Sequence, residues 1–254
     1  MPVRKNNEWQ ASSLPYDQMP KIIRLSPPMI EDALAHLRSG DPIMARLIEG
    51  VGPFALKPRR NRFHTLVKAI VSQQISTAAA RSVLTKLEAA CEPEGLSPEA
   101  IARLSPTRMR AAGLSKQKQA YLKDLALHVQ QRLLRLERMG RMHDEEVIAE
   151  LIAVKGIGRW TAQMFLIFTL GRPDIFPHDD LAVRTAIKRA YGLEELPNKV
   201  LAHKIAEPWR PYATVASWYC WRSLAIPDLS ILSLPPNKKA AQEGPPVPGS
   251  IRAD

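Results

Sequence analysis

The stretch Leu151-Ile-Ala-Val-Lys-Gly-Ile-Gly-Arg-Trp-Thr-Ala-Gln-Met-Phe-Leu166 decides the fold. It reads as an amphipathic helix ending near Val154, a tight turn at Gly156-Ile157-Gly158, and a second helix starting near Arg159. Two glycines around one apolar residue let the backbone turn sharply and come close to another surface. Ile157 can plug the gap between the helices. The N–H groups at the turn and at the start of the second helix lack intrahelical acceptors, so they form an anion site suited to a phosphate. A Gly-x-Gly pair also occurs in dinucleotide fingerprints, but those need a preceding strand and a third glycine, and neither is here. An ordinary helical hairpin is the remaining alternative on this segment alone.

Reading outward, the chain continues as Gly171-Arg-Pro-Asp-Ile-Phe-Pro-His-Asp-Asp180, a loop, and then a helix from Leu181 to Tyr191. Upstream, Phe63, Leu66, Val67, Ile70 and Val71 fall on one face of a helix. Asp41-Pro42, Ser97-Pro98 and Ser105-Pro106 each place a cap before a proline at the first helical position. Asp144 precedes the apolar set Val147, Ile148, Leu151 and Ile152 as a further start signal, and Gly50, Gly113 and Gly192 sit where helices should stop. These signals predict an all-α protein of about ten short helices in two lobes. No strand pattern or internal repeat is evident.

The 254 residues are 45% hydrophobic and 24% charged, enough for one large domain with a sizeable core. A net charge of +11, from 36 Lys and Arg against 25 Asp and Glu, suits a polyanionic partner as well as plain solubility. Cys91 and Cys220 are too few for a four-cysteine iron–sulfur or zinc site, or for a disulfide framework, so a reducing cytoplasm is expected. There is no apolar signal-peptide core at the N-terminus and no membrane-length apolar run. Residues 1–20 and 235–254 are polar or rich in Pro and Gly and read as flexible tails. The body is expected over 21–234, with the hairpin at about 145–170.

VKGIGRWTAQMFL followed by DIFPHDDLAVR resembles the helix-hairpin-helix, Gly/Pro-rich loop and aspartate (HhH-GPD) signature of a DNA glycosylase superfamily. The resemblance is closest to the 3-methyladenine DNA glycosylase II branch. FHTLVKAIVSQQISTAAA and PWRPYATVASWYCW also resemble that branch, so the likeness spans roughly residues 30–225 in three ordered motifs. It implies a two-lobed helical fold without the extra N-terminal β-rich domain of some bacterial members. The middle helices should form one lobe. The N-terminal helices and the helix near Pro211–Leu224 should form the other, with duplex DNA and the base pocket between them near Asp180.

The resemblance places the catalytic carboxylate at Asp180, although an aspartate there can equally cap the next helix. Breaking an N-glycosidic bond builds positive charge on the sugar, which one carboxylate can stabilise directly or through an attacking water. An N-alkylated purine already carries positive charge and leaves readily. The adjacent Asp179 either perturbs Asp180 or turns into solvent, and His178 is a phosphate contact or plain surface. Members that also cleave the strand carry a lysine nucleophile two residues after the second hairpin glycine. Here that residue is Trp160, so hydrolysis without a lyase step is expected.

Trp160, Trp218 and Tyr212 are the base-pocket candidates, with Trp221 less certain, because aromatic faces stack on a flipped base and attract a cationic one. Phe165 and Phe168 fit the buried face of the hairpin helix better. The turn Gln73-Gln74-Ile75, between a helix ending at Ser72 and one capped by Ser76, is the candidate wedge for the vacated duplex, with Gln74 foremost. Phosphate contacts are expected from Gly156, Gly158, Lys155, Arg159, Thr161 and Arg60, with Lys57, Arg59 and Arg62 in the same basic run. Lys116 and Lys118 lie on a helix that looks structural. No cofactor is required. A Na+ or K+ ion on hairpin carbonyls near Val154 and Ile157 is implied by resemblance alone.

The expected activity is therefore monofunctional excision of alkylated bases of the 3-methyladenine type from duplex DNA by a monomer. A glycosylase for oxidised, deaminated or mismatched bases, or a non-catalytic DNA-binding module, are the alternatives.

Overall fold

The computed structural model describes residues 24–226, and among them there are helices and no strand. The expected tails at 1–20 and 235–254 lie outside the described residues. Twelve α-helices follow one another: α1 (Pro27–Gly40), α2 (Pro42–Val51), α3 (Arg62–Ser72), α4 (Thr77–Ala90), α5 (Pro98–Arg103), α6 (Pro106–Ala111), α7 (Lys116–Gln130), α8 (Asp144–Ile152), α9 (Arg159–Phe165), α10 (Leu181–Ala190), α11 (Lys199–Ala206) and α12 (Ala213–Ser223). A π turn, Leu166–Leu170, carries α9 onward. No helix among them is long and apolar enough to cross a membrane.

Local chemistry explains most boundaries. Asp41 accepts from the Ile43 and Met44 N–H groups at 2.9 and 3.1 Å, and Ser97 and Ser105 cap α5 and α6 in the same way. Gly113 and Gly192 follow helices with φ of +95° and +64°, the left-handed stop expected there. Two expected boundaries move. Gly50 lies inside α2, and the stop falls to Gly52 at φ +85°. Asp144 is the first residue of α8 rather than its cap. The cap is His143, whose N–H donates to Glu146 at 2.8 Å, while the Asp144 carboxylate pairs at 3.0 Å with the buried Arg172.

Two apolar cores define two lobes. One collects α3 to α9 and the π turn, with Phe63, Leu66, Val67, Ile70 and Val71 all buried as their spacing requires. The other unites α1 and α2 with α10, α11 and α12. Cys91 and Cys220 are buried and free, one in each core. The lobes join along the loop 171–180. Its Gly171 carbonyl accepts from Leu25 N–H at 2.8 Å, Pro173 O accepts from Thr214 N–H at 3.0 Å, and Ile175 N–H donates to the Thr214 hydroxyl at 3.0 Å. Those bonds come from the second lobe; from the first, the Met142 carbonyl accepts from the Arg172 guanidinium at 2.7 Å, so the loop is held from both sides, and it ends at Asp180.

Candidate active site

Asp180 sits where the lobes meet and is 7% exposed. It caps α10, with Oδ1 accepting from Val183 N–H at 2.9 Å. The same oxygen accepts from the Trp221 indole N–H at 3.0 Å, reaching over from α12. The other oxygen, Oδ2, accepts from the Trp160 indole N–H at 2.7 Å, at the start of α9. Cap and cluster are one geometry: a carboxylate fixed by three N–H donors from three helices. Three donors take three of its roughly four lone-pair sites, two on Oδ1 and one on Oδ2, and hold its charge in place.

Trp160 is 47% exposed although its N–H is committed, so a face of the ring stays open beside the carboxylate. From α12 the indole that reaches Asp180 is Trp221, which also stacks on Phe168 with centroids 5.4 Å apart. Trp218, one turn earlier, is only 9% exposed and lies edge-on to Phe54 at 4.8 Å. Tyr212 packs edge-on against His36 of α1 at 5.4 Å. The three-residue offset between the two tryptophans therefore matters: Trp221, the less favoured candidate from the sequence, is the α12 partner of the carboxylate, and Trp218 is not. Phe165 is buried in the first core as expected.

Next to this cluster lies a cleft of about 230 Å³ between α3 and the hairpin helix. Thr65, Ala69 and Ser72 line it on one side, and Thr161, Met164 and Phe168 on the other, with Arg59 and Lys68 also in its wall. Thr161 adjoins Trp160 in the chain and Phe168 stacks on Trp221, so the cleft borders the Asp180 cluster.

The turn 73–75 joins α3 to α4, and Ser76 caps α4 through Ala79 N–H at 3.2 Å. Gln74 is exposed and adopts φ +56°, a left-handed conformation that costs a non-glycine residue roughly 1–2 kcal/mol. Ile75 is 39% exposed. Gln73 behaves differently. Its side-chain amide donates to the Gly156 carbonyl at 2.8 Å, so it ties the turn to the hairpin and does not project.

The hairpin adopts the expected form, with the buried Ile157 as its plug and Gly158 as the N-cap of α9. A glycine cap brings no side chain to the first N–H groups of the helix, which leaves them for an outside acceptor. Other expected phosphate ligands are engaged elsewhere. The Lys155 N–H donates to Asp124 at 2.8 Å, although its side chain is exposed. Arg159 pairs with Glu145. The Thr161 side chain is buried, so only its backbone can face a phosphate. Arg62 is half-buried and donates to the Leu136 carbonyl, so it supports the fold, whereas Lys57, Arg59 and Arg60 are exposed. His178 is buried against His203 and paired with Asp179 at 3.2 Å. Burial pushes its imidazole below the ordinary histidine range, outweighing the pull of Asp179. It is neither plain surface nor a ready phosphate ligand, and the exposed Asp179 carboxylate is directed to it.

Gly156 has φ +81°, and a Cβ on it would meet the Tyr121 ring at 2.2 Å. Gly156→Ala is expected to cost at least about 1–2 kcal/mol from the backbone alone, before Tyr121 moves. Urea unfolding measures it. Gly158→Ala is the comparison, because nothing lies within 4 Å of a Cβ there; it should keep near-wild-type stability. Equal stability of both variants would contradict the close approach of α7 to the hairpin.

Comparison with known proteins agrees with this geometry. The family model described as "HhH-GPD superfamily base excision DNA repair protein" matches residues 67–211, which include the 73–75 turn, the hairpin and Asp180. The chain is 32% identical over 204 residues to the Schizosaccharomyces pombe "Alkylbase DNA glycosidase-like protein mag2", covering 76% of this chain and 92% of that protein. It is 33% identical over 198 residues to the "DNA-3-methyladenine glycosylase 1" of the same yeast, covering 76% and 87%. Among solved structures, the 3-methyladenine DNA glycosylase Mag1 of that yeast in complex with abasic DNA superposes with a TM-score of 0.71 at 32% identity, over 77% of this chain and 98% of that one. A matched segment running from α3 through the clamped aspartate, on a fold that spans most of such relatives and about three quarters of this chain, leaves one assignment: the chain belongs to the HhH-GPD superfamily of base excision DNA repair proteins.

Proposed function

We propose that this protein is a monofunctional DNA glycosylase that hydrolyses the N-glycosidic bond of alkylated bases, of the 3-methyladenine type, in duplex DNA. The observation that carries this reading is the carboxylate of Asp180, clamped by Trp160, Trp221 and the α10 N-terminus beside an open indole face. Relatives named as 3-methyladenine glycosylases at about a third identity support the substrate class, and one of them has been captured on abasic DNA.

In this mechanism the Gln74–Ile75 turn enters the duplex while the hairpin N–H groups and exposed Lys155 and Arg60 hold phosphates. The target nucleotide swings toward the cleft and stacks on Trp160. A cationic alkylbase gains about 0.5–2 kcal/mol from the negative face of an indole. As the bond to the sugar breaks, the fixed charge of Asp180 stabilises the oxocarbenium-like sugar. Oδ2 has a single donor, the Trp160 indole, so it keeps an acceptor site that can align the water attacking the sugar and take its proton as the base departs. Position 160 offers no amine, so no Schiff base forms and the backbone stays intact. A monovalent cation on the Val154 and Ile157 carbonyls is part of the same proposal. Among the described residues no cluster of three or more His, Cys, Asp or Glu side chains could hold a metal, so backbone oxygens would have to supply the ligands. The enzyme acts as a monomer.

The test is incubation with methylated duplex, with identification of the released bases and a check of strand breaks before and after alkali. Released methylated purines, with breaks only after alkali, are expected. Breaks without alkali would contradict the monofunctional chemistry. Release of oxidised or deaminated bases alone would move the substrate class.

A further inference from the structure

Helix α7 carries three residues whose partners are functional loops. Lys118 lies nearest the wedge turn. Its ammonium donates to the Val71 carbonyl at 2.7 Å and to the Gln73 carbonyl at 2.8 Å. Tyr121, one turn on, lies where a Gly156 side chain would be. Asp124, a further turn on and 12% exposed, accepts from the Lys155 N–H at 2.8 Å. Spacings of three place these residues along one stripe of the helix. The Gln73 amide closes the loop by donating to Gly156 O at 2.8 Å.

Val71 O belongs to the last turn of α3, where carbonyls lack intrahelical partners and a cation is favoured. That bond alone would be ordinary capping. The bond to Gln73 O is different, because that carbonyl belongs to the peptide unit whose nitrogen is that of Gln74. Pinning the oxygen fixes the plane from which Gln74 departs at φ +56°. Released, the peptide could rotate and Gln74 could relax to an ordinary conformation. Residue 73 is therefore gripped by its backbone and its side chain, while residues 74 and 75 project into solvent. Lys118 is half-buried in this role, and burial lowers its pKa from the ordinary lysine range.

We propose that Lys118 is a positioning residue for base flipping: by holding the Val71 and Gln73 carbonyls it keeps the Gln74–Ile75 turn in its entering conformation, at a spacing from the hairpin that Tyr121 and Asp124 fix. The proposal rests on the glycosylase reading above. It assigns α7 the task of joining the phosphate grip to the wedge, so that a duplex held by one is met by the other in register.

Lys118→Met keeps the aliphatic stem and removes every donor, and Lys118→Arg restores a cation. The measurements are the thermal midpoint, affinity for undamaged duplex, fluorescence of a 2-aminopurine beside an alkylated base, and single-turnover excision. Lys118→Met is expected to lower the flipping signal and the excision rate by about tenfold to a hundredfold, since a misplacement of about 1 Å can cost that much. Its undamaged-duplex affinity should stay near wild type, and Lys118→Arg should recover most of the loss. Wild-type flipping and excision in Lys118→Met would overturn the proposal. So would a parallel loss of duplex affinity and stability that Arg does not repair, which would mark a plain helix cap. If Lys118→Met does not fold, Lys118→Gln, too short to reach both carbonyls, should show the same flipping defect, and normal flipping there would also overturn the proposal. Inactivity of the wild type on alkylated duplex would instead sink the glycosylase reading.

Discussion

Asp180→Asn is expected to lower single-turnover excision by about 10²- to 10³-fold, the loss typical when one preorganised electrostatic group is removed from a reacting centre. Asn has the same shape and remains a good helix cap, so Oδ1 can still accept from Val183 N–H. What changes is the charge, together with the fit to the two indoles. The Asn side chain has one acceptor and one NH2 group, while Trp160 and Trp221 both present N–H groups. One indole must then face a donor. With Oδ1 kept, that indole is Trp160, which is 47% exposed, so the stability cost should stay at about 1 kcal/mol. Under the proposed function duplex binding rests on the hairpin and the 73–75 turn, and it should survive. Excision on methylated duplex and affinity for undamaged duplex, measured on the same sample, separate the two effects. A variant that excises at the wild-type rate would return Asp180 to the role of a helix cap.

Features written in local chemistry were legible in the sequence. The glycines of the hairpin, the Ser76 cap and the apolar face of α3 each act within a few residues, and the structure places them as read. Lobe membership came with the family resemblance rather than from any helix's own pattern, and the two cores agree with it. What escaped was set by contacts distant in sequence. Which α12 tryptophan reaches Asp180 depends on the rotation of that helix against the second core, and Trp218 and Trp221 are only three positions apart. Arg62, in a basic run, and Arg159, beside the hairpin, looked like phosphate ligands, but Leu136 O and Glu145 claim them across 74 and 14 residues. Asp144 lost the cap of α8 because the buried Arg172 needed a carboxylate. The face of α7 was the least legible. Lys118 and Asp124 act on backbone atoms of other segments, and backbone acceptors leave no mark in side-chain spacing.

Asp41→Ala is expected to be the most destabilising single change, at about 3–5 kcal/mol. From the sequence Asp41 is only a cap before Pro42, and loss of a cap costs about 1 kcal/mol. In the structure that duty occupies one oxygen, through Ile43 and Met44 N–H. The other oxygen accepts from the Trp209 indole N–H at 3.0 Å and from the Tyr191 hydroxyl, 168 and 150 residues away. Asp41 is 6% exposed and Trp209 is fully buried, so truncation leaves two buried donors without an acceptor, at about 1–3 kcal/mol each. Burial, with Asp41 beside it, pushes the Tyr191 phenol above its ordinary range, so that hydroxyl remains a donor. Asp41→Asn should fall between the wild type and Asp41→Ala, because the cap and one long-range bond persist while the Trp209 N–H and the amide compete. Tyr191→Phe, which removes a donor and orphans none, should cost only about 1 kcal/mol. Urea unfolding of the three variants under one condition tests the ordering. The site adds a second reading of the same experiment. Asp41 fastens α2 to the helices around Tyr191 and Trp209, in the core that also holds α12 and its Trp221, but it does not touch Asp180. Well below its unfolding transition, Asp41→Ala should therefore excise at close to the wild-type rate, losing activity only as it unfolds. A loss of excision in fully folded Asp41→Ala would mean that the second core transmits strain to the Trp221–Asp180 bond, and that the two halves of the structure are coupled more tightly than their separate cores suggest.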